Sequence, residues 1–138
     1  MKKTFVLNKL IRDKILPLMV EEGVEVKELK MERPNQRLDF FKAKIVEEAL
    51  EVQDASSNEE TTEEIADLLE IIYAYCHKLG ISMEEVEDVR LRKKSQKGGF
   101  DACAVIDTIT ISPDSDILTK FYDYYLKNKD KYPEYTND

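Results

Sequence analysis

Two long stretches of helical periodicity, each with carboxylates set into its apolar rows, constrain this chain more than any other feature. Residues 44–72 read KIVEEALEVQDASSNEETTEEIADLLEII. At helical spacing Glu48 falls in line with Phe41, Ile45 and Val52, and Glu64 heads a row through Leu68, Ile71 and Tyr75. Asp67 heads a second row through Ile71 and Ala74. Glu51 lies one turn from both Glu47 and Glu48, and Glu70 one turn beyond Asp67, so the acids form two patches that border apolar surface. A solvated face accounts for Glu59 and Glu60. It does not account for Glu48, Glu51, Glu64 and Asp67, because like charges one turn apart repel and desolvation costs several kcal/mol per buried ion. No Lys or Arg stands between Lys44 and Lys78, so the expectation is a bound cation. Clustered oxygen donors without His or Cys select Mg²⁺, with Mn²⁺ as a substitute.

Punctuation around these stretches sets out one unit. RDKILPLMVEEG predicts a short helix with Pro17 in its first turn and Gly23 as its stop. Leu38 to about Ala55 forms the first long helix and Glu59 to Leu79 the second, which Gly80 ends. Ser82 followed by Glu85 is a capping box that opens a third, reaching about Gln96 before Gly98-Gly99. VEVKELKM and the β-branched AVIDTITI read as extended segments that pair into a small two-stranded element. SPDSDILTKFYDYYLKNK supplies a last helix, capped by Asp114 or Ser115. The fold class is mainly α, a helical bundle with a small β element.

Composition narrows the function classes. Of 138 residues, 42% are hydrophobic and 36% charged, which fits a globular, helix-leaning domain. A net charge of -8 argues against a general nucleic-acid binder, since backbone affinity needs a basic footprint, and any basic patch must be local. No apolar run is long enough to span a membrane, and MKKTFVLNKLIRDK turns charged too early for a signal peptide, so the expected compartment is the cytoplasm. Cys76 and Cys103 read as small buried thiols.

With the acids placed, the motifs carry a resemblance. EALE at Glu48–Glu51 and EIAD at Glu64–Asp67, twelve residues apart, resemble the E-x-x-E, E-x-x-D pattern of the MazG-like all-alpha NTP pyrophosphatases. NKLIRDKI near the start and VRLRKKSQKGGF after the third helix resemble the branch related to phosphoribosyl-ATP pyrophosphohydrolases. The resemblance covers most of residues 8–100. The punctuation of the chain leads us to expect a single domain over 1–138, with about 112–138, which has no counterpart in the family pattern, as a C-terminal helical extension. The resemblance implies Mg²⁺ on Glu48, Glu51, Glu64 and Asp67, with Glu47 and Glu70 as secondary carboxylates, and hydrolysis of a nucleoside triphosphate to the monophosphate and pyrophosphate, in the manner of nucleotide-pool house-cleaning. A homo-oligomer, dimer or tetramer, follows from the same resemblance.

A negative site that takes a polyanion also needs positive groups. Arg90, Lys93, Lys94 and Lys97 recur at three- and four-residue steps and form a basic face leading into Gly98-Gly99, the expected phosphate contact. Arg12 and Lys14 are further substrate-binding candidates. The single histidine, His77, reads as dipole-compensating at a helix end, and Tyr73, Tyr75 and Phe100 as core packing before base stacking. Two alternatives stand beside this reading. One is a phosphoribosyl-ATP pyrophosphohydrolase of histidine biosynthesis; the other is a helical interaction module that keeps the acids and lacks activity.

Overall fold

The computed structural model describes residues 1–128 and is all-helical there. Its elements are α1 (Ile15–Glu21), α2 (Gln36–Asp54), α3 (Asn58–Leu79), α4 (Met83–Lys97) and α5 (Ile117–Lys127). The chain divides into two compact units, Met1–Lys97 and Gly98–Asp138.

In the first unit α2 and α3 form the principal packed pair. Their junction is made locally. The Ser57 hydroxyl accepts from the Glu60 backbone N–H at 3.1 Å, while the Glu60 carboxylate accepts from the Ser56 N–H and hydroxyl at 2.8 Å, so the open N-terminus of α3 is satisfied by its own sequence. At the other end Gly80 takes the left-handed conformation, φ 70°, that a C-cap demands and a β-carbon would resist. The α4 capping box closes in both directions: the Glu85 N–H donates to Ser82 Oγ at 3.1 Å and the Ser82 N–H to Glu85 Oε2 at 2.8 Å. Gly23, φ 80°, follows the end of α1.

The core is narrow. Phe41 and Ile71 are its buried apolar residues among those described, flanked by half-buried Leu38, Ile45, Val52, Leu68, Ala74 and Tyr75. Phe41 stacks on Tyr75 with ring centroids 6.2 Å apart. Tyr75 therefore packs as expected, whereas Tyr73 and Phe100 are exposed. A second apolar stripe, Val46 and Leu50 on α2 with Ile65, Leu69 and Tyr73 on α3, is exposed.

The two-stranded element does not form: among the described residues there are no strands. Residues 24–30 and 103–110 are irregular, with Val24, Val26, Leu29, Val105, Ile106 and Ile109 exposed. A β-branched run becomes a strand only when a neighbour takes its N–H and C=O groups, and two strands without a third are marginal in water.

In the second unit α5 begins after Asp116, later than expected, and Ser115 Oγ accepts the Ile117 N–H at 3.3 Å. Phe121 and Tyr124 meet one turn apart with centroids 6.5 Å distant. The rest of the expected C-terminal extension, 129–138, lies outside the described residues. Cys76 is half-buried, but Cys103 is exposed, so the expectation of two buried thiols holds for neither fully; both are free. Among the described residues no helix is long and apolar enough to cross a membrane.

Candidate functional site

Glu48 occupies the inner face of α2, as its place in the Phe41–Ile45–Val52 row requires, and is 5% exposed. From that position one carboxylate oxygen each of Glu48, Glu51 and Glu64 come within 4.8 Å of one another, joining α2 to α3. Glu64 is half-buried and Glu51 exposed, so the group opens from the helix interface toward solvent. Glu48 Oε2 is buried with no hydrogen-bond partner, the sole such side-chain atom among the described residues. An orphaned acceptor of this kind is costly, and it faces no donor.

Cations reach the site by two routes that the sequence reading missed. Lys44, one turn before the acids, lies 2.7 Å from Glu48 Oε1 and 3.2 Å from Glu47 Oε1. Lys9, in the irregular N-terminal segment, reaches Glu47 Oε1 at 3.2 Å. The compensating charge sought beyond Lys44 is thus supplied in part by Lys44 itself, and the K-x-x-E-E spacing was the signal for it. Nothing in the sequence announced Lys9, because its partner is 38 residues away.

These contacts set the protonation of the group. Burial would lower the Lys44 pKa, but its hydrogen bonds and charge interactions with Glu48 and Glu47 outweigh that and raise it above 10.5. Desolvation would raise Glu47, and the hydrogen bonds from Lys9 and Lys44 outweigh it, holding Glu47 below 4.5. Glu51 moves the other way. A side-chain hydrogen bond with Glu48 raises it above 4.5, with desolvation and the charges of Glu48, Glu64 and Glu47 adding to the effect. A cation beside Glu48 would give Oε2 the partner it lacks.

The remaining expected site residues are distributed unevenly. Asp67 lies outside the three-carboxylate group and accepts from the Arg12 guanidinium, an ion pair between α3 and the N-terminal segment. Glu70 is exposed. Lys14 is exposed at the N-cap of α1. Arg90 is held within α4 by Glu87, at 2.7 Å from Nε and 2.6 Å from a terminal nitrogen, and Lys93, Lys94 and Lys97 are exposed on the same helix. The α2–α3 pair dominates the packing, and α4 is not packed onto it as a third layer.

Three carboxylates, set between α2 and α3 and open to solvent on one side, make an acidic centre of oxygen donors able to hold a cation. In the comparison with known families, residues 31–93 match the model of the phosphoribosyl-ATP pyrophosphohydrolase family. The match takes in α2, α3 and most of α4, and all the carboxylates named above. The family resemblance carried by the motifs holds over that segment, and by its description the family is one of pyrophosphohydrolases. Among curated proteins and among solved structures there is no significant match. A divalent ion fits the residues present: three converging carboxylates, no nitrogen or sulfur donor among them, and one buried oxygen lacking any partner.

Proposed function

We propose that this chain is a Mg²⁺-dependent nucleotide pyrophosphohydrolase that cleaves a nucleoside triphosphate to the monophosphate and pyrophosphate. The observation that carries the reading is buried Glu48, a member of the Glu48–Glu51–Glu64 group whose Oε2 has no partner, since a cation there removes at once its desolvation cost and the repulsion among the three acids. Glu48, Glu51 and Glu64 would hold the ion, with Asp67 joining them when Arg12 releases it. When bound, Mg²⁺ supplies neutralisation of phosphate oxygens and acidifies a water for attack.

The chain's own groups do the rest. Glu47, kept ionised by Lys9 and Lys44, is available at the rim to orient water, as is Glu70 one turn from Asp67. Arg12, freed from Asp67, and the cations of α4, Arg90, Lys93, Lys94 and Lys97, with Lys14, supply the positive charge that develops a use once pyrophosphate begins to leave. The exposed stripe of Val46, Leu50, Ile65, Leu69 and Tyr73 supports a homo-oligomer, dimer or tetramer, in which helical pairs of this size complete their burial. The whole of 1–138 works as one enzyme in this reading, with the segment from about 112 as an appendage.

A second reading, favoured by the description of the matching family, is hydrolysis of phosphoribosyl-ATP, which breaks the same kind of bond. A third, an inactive helical module, gains no support from an orphaned carboxylate that such a module has no reason to keep. Pyrophosphate release from a nucleoside triphosphate panel that includes phosphoribosyl-ATP, with and without Mg²⁺, separates all three. The proposal expects monophosphate and pyrophosphate from the first turnover, abolished by Glu48→Gln. Early nucleoside diphosphate and orthophosphate, equally abolished by that change, would refute the assigned bond.

A further inference from the structure

Lys44 is better placed than any other cation to govern the acidic centre. Its side chain is 19% exposed, and its ammonium sits 2.7 Å from Glu48 Oε1, on a carboxylate that is itself 6% exposed at the side chain. The two oxygens of Glu48 are thereby made unequal: Oε1 is occupied by Lys44, and Oε2 has no partner. We infer that Lys44 is a positioning residue of this centre, pinning Glu48 through Oε1 so that Oε2 is the one oxygen offered to a divalent cation. The inference rests on the metal-holding reading of the site and adds to it a residue that no carboxylate motif contains.

Charge agrees with geometry. Lys44 bonds to Glu48 within the three-carboxylate group, and Lys44 and Lys9 bond to Glu47 beside it, so Glu51 and Glu64 are left without an ammonium partner, the formal charge of one divalent ion. Lys44 also leaves Glu47 engaged at 3.2 Å, which ties the carboxylate at the rim to the one in the interior. One turn of α2 is enough to set this arrangement, because residues three and four apart share a face.

The role has a sign that plain electrostatics does not share. Removing an ammonium beside a metal ligand lessens cation repulsion and on that ground alone tightens metal binding. Loss of a positioning contact frees Glu48 to rotate and weakens it, and changes around metal ligands commonly cost ten- to a hundredfold in affinity. The test is calorimetric titration of Mg²⁺, and of Mn²⁺, into the wild-type chain, Lys44→Met and Lys44→Arg, each also melted in chelator and in metal. Lys44→Met, which keeps the length and removes the charge, is expected to raise Kd about tenfold or more and to shrink the metal-induced rise in Tm. Lys44→Arg is expected to recover most of the affinity. Lys44→Gln carries the same comparison should the Met variant fail to fold. Unchanged or tighter binding in the neutral variants overturns the role, even where the Tm in chelator falls, since that fall alone marks a contact serving stability. A wild-type chain that shows no response to either metal overturns the metal site and the role of Lys44 together.

Discussion

Replacing Glu51 by Gln tests the electrostatics of the site most directly. Glu51 is the exposed member of the three-carboxylate group and is pushed up by its contact with Glu48, so at neutral pH its ionisation is opposed by the fold. The amide is nearly isosteric, carries no charge and brings an N–H able to donate to the orphaned Glu48 Oε2. A hydrogen bond to a charged acceptor contributes about 1.5–3 kcal/mol when well buried; exposure of Glu51 and solvent screening reduce this to about 0.5–1 kcal/mol. For a chain of this size that is a rise in Tm of about 2–4 °C in chelator. In Mg²⁺ the ordering reverses. The wild-type chain gains RT ln(1 + [Mg²⁺]/Kd), about 2.7 kcal/mol at a hundredfold excess over Kd, and Glu51→Gln loses most of it. The pH dependence has a definite sign. With its folded pKa raised, Glu51 binds more protons in the native state between 4.5 and the folded value, so metal-free stability is greatest below that window and declines as pH rises through it. Glu47, held below 4.5, acts oppositely: its contribution is present above 4.5 and is lost as pH falls through the folded value. Melting by circular dichroism from pH 4 to 8, with chelator and with Mg²⁺, reads all of this. A Glu51→Gln chain that melts lower than wild type in chelator, or that keeps the full Mg²⁺ response, would refute the account.

Three further outcomes follow from the geometry. Arg12→Ala breaks a partly exposed ion pair with Asp67 and is expected to change stability by less than about 1 kcal/mol, measured by urea unfolding, while raising KM for the nucleotide; a loss well above that figure would show that the N-terminal segment is integral to the fold. Arg90→Ala and Lys94→Ala are expected to lower kcat/KM for a triphosphate and to leave the Mg²⁺-induced thermal shift intact, since both lie on α4 and outside the carboxylate group; unchanged kinetics would return α4 to a solvated helix. Leu50→Asp with Leu69→Asp is expected to lower the mass seen by light scattering, because charge on the exposed stripe opposes burial between copies, and an unchanged mass would remove that stripe from the interface.

The helices and the placing of the acids were legible because both depend on near neighbours in sequence. Observed α3, Asn58–Leu79, begins one residue before the expected start and ends on the expected residue, Gly80 and the Ser82–Glu85 box act as read, and the row through Phe41, Ile45, Glu48 and Val52 does turn inward. A 3.6-residue period and a cap are properties of a few consecutive residues, so no knowledge of the fold is needed to find them. The same reasoning overreached on VEVKELKM and AVIDTITI, whose β-branched character says how a segment fits a sheet and not whether one exists. Tertiary structure alone decided which acids converge. Glu48, Glu51 and Glu64 share one locus, while Asp67, equal to them in motif, is drawn to Arg12 from 55 residues away, and Glu47 to Lys9 from 38. An ion pair between an irregular segment and a helix depends on where the chain returns in space, which periodicity does not encode. The unequal oxygens of Glu48 combine both levels: Lys44 one turn back, and the packing of α2 on α3 that buries Oε2.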